Sequence, residues 1–201
     1  ASVTDSFSIT VANTNDEPTL ANPISDASVA EDAAYSLDAS AMCADVDVGD
    51  TMAYSLGGAP STLTVTSGVI SGTPLNADVG THTITVTCTD GAGATASDSY
   101  VLTVTNTNDA PTISSTAVTA ATEDASYTYT VVAADVDSGD TVTQSGTTVP
   151  SWLTFTASTG VLAGTPTNAE VGSHSVVITY SDGTASVTDS FSITVANTND
   201  E

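Results

Sequence analysis

Apolar and polar residues alternate with a period of two in six stretches of the chain: SFSITVA (6–12), THTITVTCT (81–89), SYVLTVT (99–105), SYTYTVVA (126–133), SHSVVITYS (173–181) and SFSITVA (190–196). They are rich in Val, Ile, Thr and Tyr, residues that fit a pleated, half-buried surface. Turn-forming clusters separate the apolar runs, among them VGD (48–50), LGGAP (56–60), TSG (66–68), SGTP (71–74), DGAG (90–93) and STG (158–160). No amphipathic helical stretch of 11 residues or more is visible. The pattern predicts an all-β protein of short antiparallel strands.

Internal repetition organises these strands into domains. Residues 1–17, ASVTDSFSITVANTNDE, return letter for letter as residues 185–201, an offset of 184 residues. A weaker repeat divides that period. ADVDVGDT (44–51) matches ADVDSGDT (134–141), SGTPLNADVGTHTITVTCTDG (71–91) matches AGTPTNAEVGSHSVVITYSDG (163–183), and VTNTNDAP (104–111) matches VANTNDE (195–201). Residues 18–110 and 111–201 therefore read as two tandem domains, each large enough to bury its own core. The expected architecture is a pair of seven-stranded Greek-key β-sandwiches. Residues 1–17 read as the last strand and linker of a preceding repeat, with Phe7, Ile9 and Val11 on one side. An isolated strand cannot satisfy its backbone or bury that side, so it is expected to fray or to add to a neighbouring molecule. Pro18 and Pro111 follow the NTND segments and stiffen the junctions.

Charge narrows the function. The chain has 24 Asp and Glu, no Lys or Arg, and two His. Phosphate neutralisation needs Lys or Arg, so nucleic acid is not an expected partner, and neither is an anionic membrane surface. No run of apolar residues is long enough to insert in a bilayer. Nothing resembles a nucleophile elbow or a phosphate loop. No cationic side chain is available to steady an oxyanion, so the chain is not expected to be an enzyme.

The acids recur in register. The first domain has Glu31-Asp32, Asp45-x-Asp47-x-x-Asp50, Asp78 and Asp90-Gly91. The second has Glu123-Asp124, Asp135-x-Asp137-x-x-Asp140, Glu170 and Asp182-Gly183. Asn13-Thr14-Asn15-Asp16, Asn106-Thr107-Asn108-Asp109 and Asn197-Thr198-Asn199-Asp200 form the linkers. Hard cations such as Ca²⁺ take six to eight oxygens of these kinds. In a strand, Asp-x-Asp would present both carboxylates on one side, and a turn at the following Gly would fold the third Asp back. Taken singly, the same residues also fit turns and a soluble surface.

In sequence order this set resembles the cadherin calcium motifs: linker Asn-Asp before Pro, an early acid, Asp-x-Asp after the second strand and Asp-Gly after the sixth. PSWLTFTASTGVLAGTP (150–166) and NAEVGSHSVVITYSDG (168–183) resemble bacterial cadherin-like domains of the dystroglycan or He-PIG type. The resemblance spans residues 18–201 and implies Ig-like/cadherin-like sandwiches with Ca²⁺ at the interdomain junctions. It implies Asn15, Asp16, Asp45, Asp47 and Asp90 at the first junction. The second would use Glu31, Asn108, Asp109, Asp135, Asp137 and Asp182, and the third Glu123, Asn199 and Asp200. Ala110 or Glu17 stands where cadherins carry a second linker Asn, and the mid-domain acidic motif is replaced by Asp78 or Glu170. One or two ions per junction are therefore expected, fewer than in cadherins.

Cys43 and Cys88 are the only cysteines, on strands expected to face each other, and the second domain replaces both, with Ala133 and Tyr180. The joint replacement favours a disulfide; two buried thiols remain the alternative. His82 and His174 lack companion ligands and read as structural. Trp152 reads as a core plug, with Thr62 in its place in the first domain. The expected role is a structural or adhesive segment of a long extracellular or cell-surface repeat protein, a stalk, filament or matrix fibre. Its partners would be neighbouring repeats and, through the N-terminal strand, further copies of itself. The alternative is a carbohydrate-binding accessory module for an extracellular polysaccharide, using Trp152.

Overall fold

The computed structural model describes residues 1–199. The chain separates into two compact units, 1–107 and 108–201, each a sandwich of two antiparallel-dominated sheets.

Unit one contains nine strand segments: β1 (Thr19–Leu20), β2 (Ala27–Ala30), β3 (Tyr35–Asp38), β4 (Cys43–Ala44), β5 (Ala53–Gly57), β6 (Leu63–Thr66), β7 (Val69–Gly72), β8 (Gly80–Thr89) and β9 (Thr95–Thr105). One layer has the order β2-β9-β8-β5. The other has β3-β7-β6, extended by the pair β1-β4. The first strand of the sandwich is thus split between layers, with β1 antiparallel to β4 and β2 parallel to β9. Counting β1 with β2, and β3 with β4, gives the seven strands of an Ig-like sandwich. The alternation in 81–89 is used literally: Ile84, Val86 and Cys88 point into the core and are buried, while the threonines between them face outward. Tyr100, Leu102 and Val104 of β9, Ile70 of β7 and Met42 complete the core. An acid, Asp98, continues the inward row of β9. Its Oδ2 accepts the Ile24 N–H at 2.6 Å, while Asp26 Oδ1 accepts the Val101 N–H at 2.8 Å. These two bonds hold the β1–β2 crossover against β9.

Unit two repeats the arrangement with β10 (Thr112–Ile113), β11 (Ala120–Thr122), β12 (Tyr127–Thr130), β13 (Ala133–Ala134), β14 (Thr143–Thr148), β15 (Leu153–Thr156), β16 (Val161–Gly164), β17 (Gly172–Ser181) and β18 (Ser186–Ala196). Its layers are β11-β18-β17-β14 and β12-β16-β15, with β10 on β13. Val176, Ile178 and Tyr180 of β17 lie beside Ile193 of β18 on the inner face of one sheet, in the core. Burial pushes the Tyr180 phenol well above its ordinary range.

Three segments take forms that the strand pattern alone does not give. Residues 126–133 form two short strands rather than one, because the chain steps sideways between β12 and β13 to pair first with β16 and then with β10. The segment 6–12 alternates like a strand but carries no strand pairing; Val3, Phe7, Ile9 and Val11 are 97, 82, 77 and 87% exposed. The identical residues of β18 are strand because β17 and β11 flank them. Lastly, neither Asp-x-Asp lies in a strand. Asp45 Oδ1 accepts the Asp47 N–H at 2.8 Å, and Asp135 Oδ1 accepts the Asp137 N–H at 2.9 Å. Each motif is a side-chain-closed turn, a conformation Asp adopts readily.

Cys43 and Cys88 are joined by a disulfide that ties β4 to β8 across 45 residues of sequence. The bond restricts the unfolded chain of unit one alone, an effect of typically about 2–4 kcal/mol. Trp152, the only tryptophan, reports on unit two. In a C43A/C88A variant the unit-one transition, followed by circular dichroism, should fall by roughly 10 °C or more. The Trp152 fluorescence transition should stay in place; a matching fall in both signals would contradict this assignment.

Candidate metal centres

The acids gather where the chain enters each unit. In unit one, β4 ends at Ala44 and the chain turns through Asp45–Asp50, closed by an Asp50 N–H to Asp47 carbonyl bond of 3.3 Å. Gly49, at φ +95°, makes this turn possible; a residue with a Cβ would be strained there. The turn folds Asp50 back over the β8–β9 loop. Gly91 gives it room, since a Cβ at that position would lie 2.8 Å from Asp50 Oδ1. Oxygens of Asp45, Asp50 and Asp90 consequently lie within 4.8 Å of one another. The linker closes over them: Asn15 Nδ2 donates to Asp90 Oδ2 at 2.9 Å, Asp16 N–H to Asp47 Oδ2 at 2.8 Å, and Asn13 Nδ2 to Asp47 Oδ1 at 2.7 Å.

Unit two builds a related group, in which Asp137 rather than the loop acid Asp182 is the third member. Asp140 N–H donates to the Asp137 carbonyl at 3.3 Å, Gly139 has φ +102°, and oxygens of Asp135, Asp137 and Asp140 lie within 4.8 Å. Asn108 Nδ2 donates to Asp182 Oδ2 at 3.0 Å and Asp109 N–H to Asp137 Oδ2 at 2.7 Å.

The electrostatics of the two loop acids follow from their amide partners. The Asn15 side chain, helped by the backbone N–H groups of residues 92–94, holds the Asp90 carboxyl below the usual range. The Ala185 N–H, followed by those of Thr184 and the Asn108 amide, does the same for Asp182. Asp140 moves the other way: desolvation, and then the charges of Asp137, Asp135 and Asp182, push it up. A carboxylate is thus held against its neighbours with no protein cation to offset it.

At the far end of each unit sits a buried glutamate. Glu31 and Glu123 are each 2% exposed. Glu31 Oε1 accepts the Thr107 N–H at 2.9 Å where the chain leaves β9, and Glu123 Oε1 accepts the Thr198 N–H where it leaves β18. The second oxygen of each is buried with no hydrogen-bond partner, as are Asp45 Oδ2 and Asp135 Oδ2. Burying a carboxylate costs several kcal/mol unless it is paired. In a chain without Lys or Arg, these four orphaned oxygens, two in each unit, are of the kind that a hard cation such as Ca²⁺ takes. The residues present fit that ion.

The structure therefore brings Asn15, Asp16, Asp45, Asp47 and Asp90 together in unit one, and Asn108, Asp109, Asp135, Asp137 and Asp182 together in unit two. Glu31 and Glu123 stand at the opposite ends of their units, Asn199 follows the Glu123-capped segment, and Asp200 lies outside the described residues. Asp50 and Asp140 join the groups although the resemblance gave them no role; the Gly before each was the sequence signal. Asp78 and Glu170 serve elsewhere. Asp78 Oδ2 accepts from Leu75 N–H and Thr62 Oγ1, and Glu170 Oε2 from Thr167 N–H and Oγ1, capping the 3-10 turns Asn76–Asp78 and Asn168–Glu170. His82 and His174 donate through Nε2 to the Asp78 and Glu170 carbonyls. Trp152 is half-buried and packs edge-to-face on Tyr127 and His174.

Comparison with known proteins agrees with this fold. A protein described as a serine-rich adhesin for platelets, from Staphylococcus aureus (strain USA300), is 32% identical over 145 residues, 69% of this chain. The chain spans only 6% of that relative's length. Among solved structures, PcdhgB3 EC1-4 matches with a TM-score of 0.57 at 18% identity, over 91% of this chain and 50% of that one. Mouse Cadherin-23 EC22-24 matches with a TM-score of 0.54 at 18% identity, over 90% of this chain and 65% of the other. The He_PIG family, described as "Putative Ig domain", matches twice, at residues 17–105 and 110–196. The chain belongs to the He_PIG family and consists of two tandem cadherin-like Ig sandwiches.

Proposed function

We propose that this chain is a structural and adhesive segment of a long extracellular or cell-surface repeat protein, stiffened by Ca²⁺ held at the linkers. The observation that carries the reading is the pair of matched carboxylate groups with orphaned buried oxygens in a protein lacking cationic side chains. The Staphylococcus relative, named as an adhesin, supports the adhesive half of the proposal. Asp45, Asp47, Asp50 and Asp90, with Asn15 and Asp16, would hold an ion in unit one. Asp135, Asp137, Asp140 and Asp182, with Asn108 and Asp109, would do so in unit two. The repeat register adds Glu31 to the second set, and Glu123, Asn199 and Asp200 to that of a following repeat. A binding role in a repeated array, rather than catalysis, is the reading we adopt, with neighbouring repeats as the first partners.

The mechanism is electrostatic. Without the ion the carboxylates repel and the linker has few reasons to hold one direction. With it, linker and loop oxygens share one charge centre, and the linker loses its freedom. Residues 1–12 add a second contact of the same array, since their exposed apolar side chains suit pairing with a further copy.

Melting the protein in millimolar Ca²⁺ and in EDTA, with small-angle scattering on both samples, tests the reading. Calcium should raise the melting temperature and lengthen the scattering profile; identical samples would remove calcium from the account. The sign of one substitution is also fixed. A carboxyl raised above its ordinary value of 3.8 opposes folding at all higher pH, and that opposition fades as pH falls through the raised value. Asp140→Asn should therefore raise the Trp152-detected melting temperature in EDTA at neutral pH and lower it in Ca²⁺. Deleting residues 1–12 should reduce concentration-dependent association, measured by sedimentation, with both units still folded.

A further inference from the structure

Unit one has an open slot that unit two fills with its own side chain. The β1–β2 crossover (21–26) leaves one layer for the other and passes beside β3, which is the edge strand of its sheet. Between crossover and β3 lies a cavity of about 420 Å³, floored by Ile24, Leu37, Ala39 and Met42 and bordered by Asp26 and Asp38. That size falls within the roughly 300–1,000 Å³ of small-ligand sites. At the position of Leu37, unit two has Tyr129. The Tyr129 hydroxyl lies 2.9 Å from Ser115 Oγ in its own crossover and reaches Asp189 Oδ2 at 3.4 Å, closing the corresponding gap. Leu37 is too short to do this. The chain from β3 to β4 is also two residues longer than that from β12 to β13, which carries Met42 under the slot.

The slot's borders are acidic. Asp26 uses Oδ1 on Val101 N–H, and Asp38 uses Oδ1 on Ser40 N–H; both residues are exposed. No protein cation answers them. We infer that the slot docks an extended cationic peptide of a partner protein: it pairs with the β3 edge, seats one aromatic side chain in the tyrosine-sized cavity, and places Lys or Arg against Asp26 and Asp38. The overall charge of −24 attracts such a partner from a distance.

The test uses the intact chain, physiological salt and millimolar calcium. Fluorescence anisotropy follows a dye-labelled peptide of sequence Lys-Thr-Phe-Thr-Lys and its analogue with Glu at both ends. The Lys peptide should bind, and the Glu peptide should bind at least tenfold more weakly. Leu37→Tyr, which copies unit two, should weaken the Lys peptide at least tenfold with its melting curve retained. Asp26→Asn/Asp38→Asn keeps the internal acceptors and should weaken it too, a second readout should Leu37→Tyr misfold. Absence of binding at millimolar peptide overturns the proposal. So does binding that none of the variants changes, or a slot whose blockage by Leu37→Tyr abolishes only self-association of the chain.

Discussion

Everything distinctive about this protein follows from having carboxylates and no cationic side chains to meet them. With 24 acids and no Lys or Arg, each acid must stay in water, bond to a backbone or side-chain donor, or wait for an external cation. The fold uses the first two routes over most of its surface. The outward rows of β8 and β17 carry Thr, Ser and Val but no charge, and the acids sit in turns and at unit ends. Asp98 bonds to Ile24 N–H, Asp78 and Glu170 cap 3-10 turns, and Asp38 caps Ser40. The third route is left for the linker groups, where Asp45, Asp135, Glu31 and Glu123 each retain a buried oxygen without a partner.

The two units show how little of this depends on the details of their cores. Unit one ties β4 to β8 with a disulfide; unit two replaces the pair with Ala133 and a buried Tyr180. Unit two packs Trp152 on Tyr127 and His174, whereas unit one has Thr62 bonded to Asp78 at that place. The turns that present Asp50 and Asp140 differ by little more than Val48 against Ser138, and both depend on a glycine with positive φ. The cores are interchangeable ways of burying one face of a sheet. The Asp-x-Asp turn keeps the same hydrogen bonds in both units.

The strands were legible in the sequence because alternation directly encodes a sheet with one buried face: Ile84, Val86 and Cys88, or Val176, Ile178 and Tyr180, could face only one way. Alternation says nothing of a neighbour, and so the identical runs at 6–12 and 190–196 differ in outcome. The acid groups were legible as a repeated order of residues, and their assembly depends on tertiary placement that order does not contain. Asp-x-Asp looked like a strand pair and is a turn, because a side chain that can accept its own second-next N–H competes with the ladder. Asp50 and Asp140 enter their groups through glycine turns, a three-dimensional consequence of one residue's φ. The slot beside β3 was not legible at all. It arises from two separate differences between the units, Leu37 for Tyr129 and a longer β3–β4 connection, which matter only once they are packed side by side.

The most direct test of the central claim is a crystal structure grown in calcium, with anomalous difference maps. The account predicts peaks among Asp45, Asp47, Asp50 and Asp90 and among Asp135, Asp137, Asp140 and Asp182, with the orphaned oxygens of Asp45 and Asp135 as ligands. Maps without such peaks, with the same carboxylates bonded only to water and backbone amides, would contradict it.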